Sequence, residues 1–105
     1  MQIQFNTDHN IHGHEAMALQ AETILRGALE HYSDQITRVE IHLRDENSDK
    51  KTGPADVRCL LEARIANQQP IAVRDQAASV TQALEGAATK LRSSIESRLG
   101  RLSHR

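Results

Sequence analysis

The chain of 105 residues carries 13 Lys and Arg against 14 Asp and Glu, a net charge of −1, with one Phe, one Tyr and no Trp. That length accommodates one domain with a single two-layer core, and the core must be built from Ala, Leu, Ile and Val. No run reaches the roughly 18 apolar residues of a membrane span, the start Met-Gln-Ile-Gln-Phe lacks the regions of a signal peptide, and one cysteine excludes an internal disulfide framework. A cytoplasmic protein of one domain, residues 1–105, is expected.

Gln2 to Asn6 alternates polar and apolar and predicts a first strand with Ile3 and Phe5 inward. His14 to Tyr32 follows helical spacing, with Met17, Ala21, Ile24, Leu25, Ala28 and Tyr32 in one stripe and Glu22, Arg26 and Glu30 outside it. Gly27 interrupts this helix. Either it packs tightly on the sheet or it leaves the helix locally soft.

The period then changes from helical to alternating. Thr37 to Arg44 reads as a second strand, with Val39, Ile41 and Leu43 inward and Arg38, Glu40, His42 and Arg44 outward. Asp45 to Pro54 is polar throughout and predicts a long hairpin loop. A third strand follows from Ala55 to Ala66, then a turn over Asn67 to Pro70 and a fourth strand with Ile71 and Val73 inward. From Ser79, a candidate N-cap, to Leu102 the helical stripe returns through Val80, Leu84, Ala87, Leu91, Ile95, Leu99 and Leu102.

The order β-α-β-β-β-α implies an α+β fold. Strands one and two pair in parallel through a right-handed crossover, two hairpins add antiparallel strands, and both helices cover the one apolar face of a four-stranded mixed sheet. This is an architecture like that of double-stranded-RNA-binding domains. The other face is open to water, and on it Arg38, Arg58, Arg64 and Arg74 outnumber the Glu residues.

Charge is distributed unevenly. Asp8, Glu15, Glu22, Glu30 and Asp34 face only Arg26 in the first third, whereas Lys90, Arg92, Arg98, Arg101 and Arg105 face only Glu96 at the end. Two readings stand side by side: a basic end that meets a polyanion, or cations complementing the negative end of a helix dipole.

Reaction centres are poorly represented. His9, His12 and His14 surround a glycine-containing loop but lack the paired ligands of a structural zinc site, so no metal is expected and three solvated histidines suffice. Cys59 lies on the apolar phase of a strand, where a thiol is core. His42 has no carboxylate pair or Ser/His/Asp partner set, and there is no glycine-rich phosphate loop. No enzyme activity, cofactor or small-molecule substrate is expected. The absence of aromatics on the open face disfavours base reading of the RRM kind and leaves phosphate and shape contacts.

With the element order in hand, the chain resembles the ribosome hibernation promoting factor family, the ribosome-associated inhibitors or ribosomal subunit interface proteins, in a short form. Leu29, Glu30, Tyr32, Asp34, Ile36, Val39 and Leu43 are similar to that family's helix-to-strand passage. Lys90, Leu91, Arg92 and Ile95 with the basic tail are similar to its second helix. The resemblance implies a stress-response protein that binds the small ribosomal subunit and ribosomal RNA and silences translation, without the dimerisation domain of longer members. It assigns RNA contacts to Lys90, Arg92, Arg98 and Arg101; the composition of the open face adds Arg38, Arg58, Arg64 and Arg74. Two departures stand out: the first helix keeps only Arg26 among acids, and Ser79, Val80 and Thr81 replace the usual Asp-x-Tyr entry of the second. The alternative is a protein-binding or self-associating module of the same fold without ribosome affinity.

Overall fold

The computed structural model describes residues 1–7, 14–45 and 56–103, with the side chains of residues 14 and 101–103 left aside. The histidine loop, the polar hairpin loop, and the side chains of Arg101 and Leu102 thus lie outside the described residues. The described elements are β1 (Gln2–Thr7), α1 (His14–Ala28), a 3-10 turn (Glu30–Tyr32), β2 (Ile36–Asp45), β3 (Val57–Ile65), β4 (Ile71–Ala77) and α2 (Val80–Ser103). The order is the expected one.

The four strands form one sheet in the order β1-β2-β3-β4. β1 runs parallel to β2, with Ile3 opposite Val39 and Phe5 opposite Ile41, while β2–β3 and β3–β4 are antiparallel. Both helices lie on the same face. Ala21, Leu25 and Leu29 from the first helical segment and Ala83, Leu84, Ala87, Ala88, Leu91 and Ile95 from α2 bury against Val39, Ile41, Leu43, Val57, Cys59, Leu61 and Ala63 of the sheet. No polar or charged side chain is buried among the described residues. The core is therefore held by apolar burial and dispersion, with small Ala residues letting α2 come close to the strands.

Several strand ends shift by a residue or two, and two boundaries differ for a local reason. α1 ends at Ala28 instead of Tyr32, because the chain tightens: Leu29 N–H still bonds the Leu25 carbonyl at 2.9 Å, but Tyr32 N–H bonds Leu29 at 2.9 Å, a three-residue closure. A spacing of three suits either helix type, so the apolar period runs through the change unmarked. At the start of β2 the pairing shifts register between Ile36 and Arg38. This irregularity lets Ile36 and Val39 both point inward despite their odd separation. Thr37, outside, donates its hydroxyl to the Arg64 carbonyl at 3.1 Å.

β3 and β4 are joined through Asn67, whose φ of 62° lies in the left-handed region that Asn tolerates better than most residues. Gln68 N–H closes this turn on the Ile65 carbonyl at 3.1 Å. α2 starts as anticipated: Ser79 Oγ accepts from Gln82 N–H at 3.2 Å, a side-chain N-cap. Gly27 sits on an exposed part of α1, and a Cβ there would meet nothing within 4 Å. Packing does not require it.

Candidate nucleic-acid interface

The open face is organised by cross-strand register into rows. The first holds Gln2, Arg38 and Arg64, the second Gln4, Glu40, Glu62 and Ala72, the third Asn6, His42, Leu60 and Arg74, and the fourth Arg44, Arg58 and Gln76. Like charges stand directly opposite one another three times: Arg38 with Arg64, Glu40 with Glu62, and Arg44 with Arg58. Such pairs destabilise a sheet.

Neighbouring rows offset part of that cost. Arg38 reaches the Gln4 side-chain oxygen and lies 3.3 Å from Glu40. His42 Nε2 is 3.7 Å from Glu40 and 4.0 Å from Glu62. The acidic row is thereby shared between the first and third rows. The fourth holds Arg44 opposite Arg58, and beside them Gln76 donates to the Asp56 carboxylate.

At that end of the sheet the strands and α2 enclose a concavity of about 570 Å³, lined by His42, Arg44, Arg58, Cys59, Leu60, Arg74, Asp75, Gln76 and Lys90. Lys90 is placed there by two bonds, to the Arg74 carbonyl at 2.8 Å and to Asp75 Oδ1 at 3.0 Å. Asp75 points to the helix side of β4, where it lies against Gly86; a Cβ on that residue would come 2.7 Å from the Asp75 Cγ. A methyl group added there would displace the carboxylate.

Cys59, opposite Asp75 in the register, is 1% exposed. Burial, and secondarily the Asp75 charge, push its thiol up to about 12. It is core, as its strand phase suggests, and holds its proton at neutral pH.

The expected basic residues do not form one cluster. Arg58, Arg74 and Lys90 converge in the concavity. Arg38 and Arg64 lie across the acidic row from it. Arg98 is at the opposite end of the sheet, where its guanidinium donates to the Gln69 carbonyl in the β3–β4 turn. Arg92 is engaged along α2 with Glu96 at 2.7 Å, a bond that raises its already high pKa.

Arg44 joins the concavity although its sequence position alone did not single it out from the other outward residues. The signal for it was the β2–β3 register, which places it opposite Arg58; an undescribed hairpin loop separates the two strands in sequence. Asp75, an inward acid on β4, was likewise outside the expected pattern. Among the described residues no group of three or more His, Cys, Asp and Glu is arranged to hold a metal ion.

No protein-family model matches the sequence, and no curated protein matches it. Solved structures do. The N-terminal domain of Protein Y from Thermus thermophilus superposes with a TM-score of 0.73 at 16% identity, over 91% of this chain and 97% of that one. A ribosomal subunit interface protein from Coxiella burnetii gives 0.76 at 12% identity, over 95% and 99%. The fold is theirs. At such identity the likeness extends to the backbone path, the mixed sheet and the shared placement of both helices, and the surface rows described above belong to this chain.

Proposed function

We propose that this protein is a non-enzymatic, cytoplasmic, ribosome-associated inhibitor of translation, called on in stress, that binds the small ribosomal subunit through phosphate and shape contacts with ribosomal RNA. It acts by occupying space. One observation carries the reading: Arg44, Arg58, Arg74 and Lys90, drawn from three strands and a helix, gather at one end of a fold shared with a ribosomal subunit interface protein. The chain carries a net charge of −1, and this end of the fold gathers cations that a folded polyanion can meet.

The grip has two ends. The concavity supplies Arg58, Arg74 and Lys90, with Arg38 and Arg64 further along the open face, and the last turns of α2 supply Arg92, Arg98 and Arg101. The test is pelleting with purified small subunits across a salt series. The parent binds with an affinity that falls steeply with salt. Arg58→Glu with Arg74→Glu, and separately the Arg92, Arg98 and Arg101 triple change to Glu, each weaken binding and flatten the slope by about one unit for every phosphate no longer neutralised. If both variants pellet as the parent does at every salt concentration, the assignment is wrong.

A second reading is favoured by the outer side of α1, where Leu19 is 68% exposed between Glu15 and Glu22. It describes a self-associating or protein-binding module without ribosome affinity. Sedimentation of the isolated chain as a dimer, combined with no pelleting at low salt, selects it.

A further inference from the structure

The two edges of the sheet differ in how they meet solvent. β4, at one edge, follows Pro70 and carries Arg74 and Asp75. Lys90 Nζ bonds its Arg74 carbonyl at 2.8 Å, and the Arg98 guanidinium takes the Gln69 carbonyl just before the strand. Proline, charge and a covering helix are the devices by which an edge strand avoids pairing with another chain. β1, at the other edge, includes no charge and no proline from Gln2 to Thr7, and β2 is its one strand neighbour among the described residues.

Arg26 of α1 reaches the start of this edge, donating to the Met1 carbonyl at 3.4 Å, and so fixes which side of the helix flanks β1. Glu15, Leu19, Glu22 and Arg26 recur at spacings of four, three and four and form one stripe on that side. Gln20, bonded to Thr81 Oγ1 at 2.9 Å, marks the side turned to α2. Within the stripe Leu19 is 68% exposed, the one large apolar side chain so exposed among the described residues. The stripe is acidic at its start and basic at its end.

We infer that the β1 edge and this stripe of α1 form an interface for a second copy of this chain. A two-fold axis perpendicular to the sheet runs β1 antiparallel to its counterpart, with Gln4 opposite the partner's Gln4 and Ile3 opposite the partner's Phe5, a register that keeps inward residues with inward ones. The same axis sets the two copies of α1 side by side and antiparallel, so that Leu19 nears the partner's Leu19 and Glu15 meets the partner's Arg26. One charge pattern thereby complements itself, as an isologous contact requires. β4 and α2, with Arg74 and Lys90, stay at the outer edges of the joined sheet. The inference thus goes beyond the ribosome reading and is independent of it.

The experiment sediments the full chain over a concentration series from about 1 to 500 μM. The sedimentation coefficient is expected to rise to that of a dimer and stop there. Leu19→Glu, and separately Gln4→Glu, in which the new carboxylate keeps Arg38 beside it, each weaken the dimer by about fivefold or more. Glu15→Arg and Arg26→Glu each weaken self-association alone, whereas the two variants mixed pair with each other as strongly as the parent. In a Cys59→Ala background, Gln4→Cys forms an intermolecular disulfide with oxidised glutathione, its opposed β-carbons being about 5 Å apart, and Gln76→Cys on β4 does not. A monomer at every concentration, a dimer indifferent to Leu19→Glu and Gln4→Glu in variants with native circular dichroism, or growth past the dimer with cross-linking through Gln76→Cys overturns the inference. A monomer that pellets with small subunits loses this interface alone, and a dimer with these responses that does not pellet loses the ribosome reading alone.

Discussion

Lys90 and Asp75 are joined at 3.0 Å between Nζ and Oδ1, one helical turn along α2 from the glycine against which Asp75 lies. Asp75 is pinned between β4 and the helix, and Lys90 is held over the edge of the concavity by it. The pair is partly solvated, with the side chains 53% and 24% exposed, so it contributes at most about 1 kcal/mol to stability. Its larger effect is positional.

Gly86 therefore couples to Asp75. Replacing a helix-interior glycine by alanine ordinarily stabilises by about 1 kcal/mol, but here the new methyl group displaces the carboxylate. Gly86→Ala is expected to give no gain in the parent and to stabilise by about 1 kcal/mol in the Asp75→Ala background. Urea denaturation of the four proteins measures the cycle. Equal effects in both backgrounds would show that the carboxylate does not constrain the helix.

Gly27 provides the contrasting case. Nothing lies within 4 Å of a Cβ built there, so Gly27→Ala recovers helix propensity without a clash and raises stability by about 0.5–1 kcal/mol. The denaturation midpoint should rise with an unchanged m-value.

Cys59 makes stability sensitive to alkali. Its thiol is raised from 9.0 to about 12 by burial and by Asp75. The unfolded chain therefore loses this proton first, and the folded state holds it longer. Stability from this group is complete below the unfolded value of about 9 and falls as pH rises from there toward about 12, with a slope of up to about 1.4 kcal/mol per pH unit. The measurement is the difference in stability between parent and Cys59→Ala, whose pH dependence should appear only above about pH 9. A thiol reagent at about pH 8 should react no faster than the chain opens.

The core tolerates truncation poorly. Leu61 on β3 and Leu91 on α2 are both 0% exposed and belong to the same buried cluster. Changing either to Ala is expected to cost about 2–5 kcal/mol, against less than about 0.5 kcal/mol for Arg64→Ala on the wet face. Thermal melts of the three variants check the ordering.

The elements and their facing were legible in the residues because they rest on local periodicity. The alternation of Val39, Ile41 and Leu43 against Arg38, Glu40 and His42, the α2 stripe from Val80 to Leu99 and the Ser79 cap each depend on neighbours within a turn or two, and all were found as expected. The switch to a 3-10 turn after Ala28 was illegible because a three-residue spacing satisfies both helix types. The pairing shift at Ile36 was illegible because a bulge alters inward and outward phase without altering composition.

The amino-acid sequence by itself determined which side chains are apolar at which period, and hence one sheet roofed on one side by two helices, since burying that surface admits few other arrangements. Only the tertiary structure decided which cations meet. Arg44 and Arg58 face each other, and Lys90 joins Arg74, through register and helix docking across gaps that no local pattern spans. Arg98, eight residues beyond Lys90 on the same helix, is carried to the other end of the sheet by the rise of α2. Periodicity is a property of the chain; the convergence of like charges is a property of packing.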